Sequence, residues 1–143
     1  MNNTRIMDLD LSAYKVLAVD DLRLNIVLAK KMLSRYSFTT VTATGGRDAM
    51  AAIDRERPVL LLLDLMMPVV DGYDVIKKVR SDKSMAGVRI VVLSALNTNE
   101  NVVRALNMGA DEFIIKPLTL EKLYNCVDAQ FEIILAMEAD SKE

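Results

Sequence analysis

Two hydrophobic periodicities alternate along the chain. Residues 15–20 (KVLAVD) form a short apolar, β-rich run, and residues 22–35 (LRLNIVLAKKMLSR) follow with helical spacing. In that second segment Leu24, Val27, Leu28 and Leu33 fall near one face, the pattern of an amphipathic helix. Residues 38–43 (FTTVTA) are β-rich again, Gly45-Gly46 punctuates, and 47–56 reads as a helix. Residues 59–64 (VLLLLD) are apolar throughout, as a central strand covered on both faces must be. Pro68 and Gly72 break the chain before a helix over 73–81. Gly72 is expected to start that helix or to adopt a positive φ. A fourth strand spans 88–93 (VRIVVL), and a helix over 98–108 ends at Gly109, a plausible C-terminal cap. A fifth strand spans 112–115 (EFII), and a last helix runs from 119 to 138.

Five strands alternating with five helices predict an α/β fold, a doubly wound parallel sheet with helices on both faces. Right-handed crossovers restrict the topology, and the flavodoxin-like strand order 2-1-3-4-5 is expected. Such sheets bind ligands outside the C-terminal strand ends, near the switch between strands 1 and 3. In the last helix Leu120, Leu123, Tyr124, Val127, Phe131 and Ile134 should face the sheet. Ile133, Leu135 and Met137 fall outside that stripe. They predict either an association surface, through which a second copy could pair, or packing against Ile6, Met7, Leu9 and Leu11. The organisation reads as an N-terminal extension over 1–13, one domain over 14–138 and a polar tail over 139–143.

Composition narrows the function. A chain of 143 residues with 52% hydrophobic content can bury a single core. Net charge is −2 with no basic run, which argues against direct nucleic-acid binding. No apolar stretch approaches the ~20 residues of a membrane span. The first ten residues lack a secretory apolar core, so a cytoplasmic location is expected. The single cysteine, Cys126, forms no internal disulfide and sits in an apolar helical pattern as a small core residue. Histidine is absent, which removes phosphohistidine, His-based triads and His-ligated metals from this chain.

The strand ends carry the candidate chemistry. Strand 1 ends in Asp20-Asp21, strand 3 in Asp64, strand 4 at Ser94 and strand 5 at Lys116-Pro117. Singly, each has a bland reading: either aspartate could cap the following helix, Ser94 could cap a turn, and Lys116 could be surface charge. Together they differ, because three crowded carboxylates repel one another and a divalent cation removes that cost. Octahedral oxygen coordination without soft ligands points to Mg²⁺, or to Mn²⁺. Asp21 and Asp64 are the expected direct ligands, Asp20 binds directly or through water, and the backbone carbonyl of Met66 adds an oxygen. The loops lack the spaced ligands of a calcium EF-hand.

VLAVDD, LLLDLMMPVVDGYD, VVLSA and FIIKP together resemble the motifs of CheY-like response-regulator receiver domains, in order and over about residues 14–137. The resemblance implies that Asp64 is the phosphoacceptor of a two-component phosphorelay and that Asp20 and Asp21 are the acidic metal pair. It makes Ser94 the hydroxyl switch, Lys116 the phosphate-contacting lysine, and Phe113 the rotameric switch, here without the hydroxyl of the tyrosine common at that position. It also implies a cis Lys116–Pro117 bond. Met66 and Leu96 stand where the family flanks an attacking water, so phosphate loss should be slow. With no histidine in the chain, the donor lies on a partner, a histidine kinase or a histidine phosphotransfer protein. A downstream protein target would read the face made by helix 4, strand 5 and helix 5. On this reading the protein is a phosphorylated switch acting only on itself, not an enzyme with a separate substrate. The VDDLRLN spacing, with Asn25, also resembles receivers attached to hybrid kinases, so the chain could be an excised module of a longer protein. A flavodoxin needs a phosphate-cradling loop after strand 1, where this chain has two aspartates. A haloacid-dehalogenase phosphatase needs a second aspartate two residues after the first, where this chain has Met66. A phosphorylation-independent pseudo-receiver would not need the full set of five polar residues.

Overall fold

The computed structural model describes residues 5–95 and 98–141. Five strands, β1 (Lys15–Val19), β2 (Thr39–Ala43), β3 (Leu60–Leu63), β4 (Arg89–Ser94) and β5 (Glu112–Ile115), alternate with five helices. These are α1 (Arg23–Leu33), α2 (Gly46–Glu56), α3 (Gly72–Ser81), α4 (Asn99–Met108) and α5 (Leu120–Ser141). All strand pairs are parallel and the order is β2-β1-β3-β4-β5, as expected.

Alternation along the strands divides the core in two. Leu17, Val19, Leu61, Leu63, Ile90 and Val92 face α2, α3 and α4, where they meet Ala52, Ile53, Ile76, Val79 and Ala105. Val16, Ala18, Leu60, Leu62, Val91 and Leu93 face the other way, against Leu33 and α5 residues Leu123, Val127, Phe131 and Ile134. The four leucines of β3 are fully covered. Burying each contributes about 1.5–3 kcal/mol, which fixes this strand at the centre of the sheet. Its C-terminal end is therefore a rigid platform for Asp64.

Local signals set the helix ends. Asp71 and Asp74 form a reciprocal capping box at the start of α3. Gly109 ends α4 at φ 118°, a conformation that glycine adopts without strain. Gly72 does not take a positive φ; it starts α3, and its role is close approach. A Cβ there would lie 2.6 Å from the carbonyl oxygen of Asp64 and 2.7 Å from Leu65 Cα.

Several expectations need correction. The α1 stripe of Leu24, Val27 and Leu28 is exposed, while Ile26 and Leu33 are the buried residues of that helix. Neither Asp20 nor Asp21 caps α1 by a side-chain bond; Leu22 occupies the cap position, and its N–H donates to Asp20 Oδ1 at 3.0 Å. Leu120 is half exposed rather than turned to the sheet. The helix also continues to Ser141, so the residues set apart as a polar tail are helical as far as they are described. For the N-terminal extension, the packing given as one of two alternatives is found. Its Ile6 and Leu11 are buried in the core layer that holds Phe131 and Ile134, with Met7, Leu9 and Leu135 packed against it. Ile133 and Met137 remain partly exposed.

Candidate functional site

Strand register carries the polar residues to one rim. Val19 pairs with Leu63 and Ser94 with Ile115, so Asp20, Asp64 and Lys116 each stand one residue past their strands' ends. Backbone bonds continue the ladder there: Asp64 N–H donates to Val19 O at 3.0 Å, Asp20 N–H to Ala43 O at 3.2 Å, and Lys116 N–H to Ser94 O at 2.9 Å. Backbone, not side-chain choice, thus fixes where these groups emerge.

One oxygen from each of Asp20, Asp21 and Asp64 lies within 4.8 Å of the other two. Asp20 and Asp64 are buried, and Asp21 is the most accessible of the three. Lys116 Nζ lies 2.7 Å from Asp20 Oδ2 and 3.6 Å from Asp64 Oδ2. Asn25 on α1 adds a bond from Nδ2 to Asp20 Oδ2 at 3.1 Å. Asp20 is therefore tied at both oxygens, whereas Asp64 accepts one N–H, from Met66 at 3.2 Å. Burial pushes the Asp64 carboxyl above its ordinary range, against the pull of Lys116 and the Met66 N–H, and Asp20 and Asp21 push the same way as burial.

Three carboxylates face one lysine, so two formal negative charges are left over after Lys116 is counted. All available donors are hard oxygens, the set that Mg²⁺ or Mn²⁺ selects. The residues fit such an ion.

Ser94 is fully buried at the end of β4. Phe113, paired with Val92, is partly buried and packs against the core layer under α4. The Lys116–Pro117 bond is cis. Met66 is 59% exposed beside Asp64, and Leu96 lies outside the described residues. The sequence reading missed the Asn25 bond to Asp20; a polar residue on the first turn of a helix that starts at an acidic pair was the available signal. On the α1 side, a cleft of about 270 Å³ runs from Asp20, Asn25 and Lys116 to Leu28, Met32, Leu118 and Leu123.

Comparison with known proteins agrees with this geometry. Residues 16–128 match the response regulator receiver domain family. The ycf27 protein of Guillardia theta is 35% identical over 124 residues, covering 86% of this chain and 48% of its own length. The response regulator PleD of Caulobacter vibrioides is 33% identical over 104 residues, covering 73% and 23%. The crystal structure of a two-component response regulator from Clostridium difficile superposes with a TM-score of 0.77 at 28% identity, covering 83% of this chain and 96% of that one. The chain belongs to the response regulator receiver domain family of two-component signalling. It spans less than half the length of the two relatives named above.

Proposed function

We propose that this domain accepts a phosphoryl group on Asp64 from a phosphohistidine on a partner protein, in a reaction that depends on Mg²⁺. The observation that carries the reading is the cluster of three carboxylates within 4.8 Å, bridged by Lys116, at the rim where β1 and β3 end. Asp20, Asp21, Asp64 and the Met66 carbonyl would hold the ion, which when bound offsets charge between Asp64 and the incoming group.

The chain's own residues do the rest. An Asp64 oxygen attacks phosphorus as the bond to the donor nitrogen breaks, and the imidazole leaves with the electron pair. Phosphoryl transfer passes through a loose transition state, so the work is positioning and charge stabilisation. Lys116 supplies a positive charge to a phosphoryl oxygen, and Ser94 donates a hydrogen bond to another. The N–H of Met66, already aimed at Asp64 Oδ1, holds the carboxylate in place. The acyl phosphate adds about −1.5 to −2 charge, which draws Ser94 inward and pulls the chain leading to α4. Phe113 then follows, and the face of α4, β5 and α5 changes for a downstream protein.

The exposed Leu22, Leu24, Val27 and Leu28, beside the cleft that opens at Asp20 and Lys116, support α1 as the surface on which the donor docks. A receiver module acting in the cytoplasm, alone or within a longer protein, accords with a chain in which no described helix is long and apolar enough to cross a membrane. A homodimer through α5 finds support in the exposed Ile133 and Met137, and opposition in the packing of Leu135 within its own chain.

Labelling with acetyl phosphate tests the core of the proposal. Mg²⁺-dependent incorporation at Asp64, lost in Asp64→Asn and in excess EDTA, is the expected result. Incorporation that persists in Asp64→Asn refutes the assignment.

A further inference from the structure

Helix α3 grips α4 at both ends, and the two grips differ in kind. Tyr73 and Arg80 lie seven residues apart, on one face of α3. At the near end, beside the carboxylate site, the Tyr73 hydroxyl donates to Asn101 Oδ1 at 3.1 Å. The other side of that amide is also engaged, with Asn101 Nδ2 donating to Thr98 Oγ1 at 2.7 Å. Thr98 is the N-cap of α4 and accepts the Asn101 N–H as well. One turn further on, the Arg104 guanidinium lies over the Tyr73 ring, 3.8 Å from its centroid. At the far end, Arg80 donates to Gly109 O at 2.8 Å and to Asp111 Oδ2 at 2.9 Å.

The far grip is charge-assisted and largely shielded from solvent on both partners. Such bonds are about twice as strong as neutral ones. The Arg80 stem also packs closely on Gly109, with Arg80 Cγ 2.6 Å from where a Cβ would stand. The near grip is a neutral hydroxyl–amide bond plus a cation on a ring, with Arg104 itself exposed. A pull on the N-terminus of α4 therefore breaks the near grip first, and the helix turns about its anchored C-terminal end.

Tyr73 is also next in the chain to a residue that packs on the backbone of Asp64 and Leu65. It follows Gly72, whose N–H donates to Leu65 O at 3.0 Å and which lies so close that a Cβ there would stand 2.6 Å from the Asp64 carbonyl oxygen. Tyr73 is itself buried in the core layer under α4. It thus stands between the residue that would be phosphorylated and the cap of the helix that would move.

We propose that the contact of Tyr73 with Asn101 and Arg104 is a brake that holds α4 in its unphosphorylated position and sets the threshold of the switch. This rests on the reading of Asp64 as phosphoacceptor and of the Ser94 segment as the element that pulls α4. A contact present in only one of two states biases the equilibrium by its own strength, so its removal favours the other state. Tyr73 acts here as a positioning residue, since it touches neither phosphoryl group nor ion.

The test is the Mg²⁺-dependent binding of beryllofluoride, an acyl-phosphate mimic, to the whole chain, with thermal unfolding measured alongside. Tyr73→Phe keeps the ring and deletes the hydroxyl. It should bind beryllofluoride about fivefold more tightly, the lower end of ordinary coupling between sites. In the absence of ligand it should melt no higher than wild type. A purely structural role would weaken both stability and binding, so opposite signs mark the brake. Asn101→Ala should match Tyr73→Phe, and the double variant should gain no more than either alone. Arg104→Gln, on an exposed side chain, supplies a variant that folds whatever happens at Asn101, and it should also tighten binding. Unchanged or weaker binding in Tyr73→Phe and Arg104→Gln overturns the brake. If wild type itself fails to bind beryllofluoride with Mg²⁺, the phosphoacceptor reading fails instead.

Discussion

Asp64→Asn should make the metal-free protein more stable, not less. Asp20 and Asp21 each place an oxygen within 4.8 Å of an Asp64 oxygen, and Lys116 stands 3.6 Å from Asp64. At an effective dielectric constant of about 20, each like charge at that limit costs about 3.5 kcal/mol, and the lysine returns about 4.6 kcal/mol. The balance disfavours the ionised Asp64 by about 2 kcal/mol, and solvent reaching Asp21 reduces this to about 1–2 kcal/mol. Asparagine keeps the shape and the oxygen that accepts the Met66 N–H. For a domain of this size the gain corresponds to a rise of about 3–6 °C in Tm. The assay is thermal unfolding of both proteins in EDTA and then in Mg²⁺. Ion binding at a hundred times its Kd stabilises wild type by about 2.7 kcal/mol. The variant lacks a ligand and should gain little, so the order of the two melting curves should reverse. If the metal-free variant melts at or below metal-free wild type, charge crowding is not what the site stores and the argument for the ion loses its physical basis.

The remaining predictions address the same rim and its supports. Burial holds the Asp64 carboxyl above its ordinary range, so the folded protein keeps a proton that the unfolded chain has already released. Metal-free wild type should therefore lose stability as pH rises from the unfolded value through the folded one; a pH series of melts should show that slope flattened in Asp64→Asn. Gly72→Ala would drive a methyl group to within 2.6 Å of the Asp64 carbonyl oxygen, and denaturant unfolding should show a loss of about 2 kcal/mol or more, with weakened beryllofluoride binding. Met66→Asn replaces an exposed apolar side chain next to Asp64 with one that can orient water, and a phosphate-release assay should show a shorter acyl-phosphate lifetime. Deleting residues 1–11 removes the buried Ile6 and Leu11 and should cost about 3–5 kcal/mol by chemical denaturation, where a dispensable extension would cost nothing.

The order of elements was legible because β1, β3 and β4 read as apolar runs and most of the later breaks carry glycine or proline. VLLLLD reads as a central strand, and Gly109 in LNMGADEFII marks the end of the helix before the fifth strand. Boundaries were less legible. The last helix runs to Ser141, and Glu138 in its last turn accepts a hydrogen bond from the Tyr14 hydroxyl, a contact 124 residues away in sequence that no local pattern reveals. Ile6 and Leu11 were recognised as able to cover α5, but only the packed structure shows that they complete the layer around Phe131.

The misreading of α1 has a physical cause that bears on function. Periodicity identifies an apolar face without saying what covers it. Here Ile26 and Leu33 suffice to seat the helix on the sheet, and Leu24, Val27 and Leu28 are left to solvent. Between positions 22 and 47 there are five basic residues and no acidic one, in a chain whose net charge is −2. None of the four cations on or next to α1, Arg23, Lys30, Lys31 and Arg35, has an ion-pair partner among the described residues. A helix that needed only internal packing would not keep an uncovered apolar stripe and unpaired charge of one sign. On the proposed reading, the feature that made α1 look like core marks it as a contact surface, and it begins two residues after the acidic pair that neighbours Asp64.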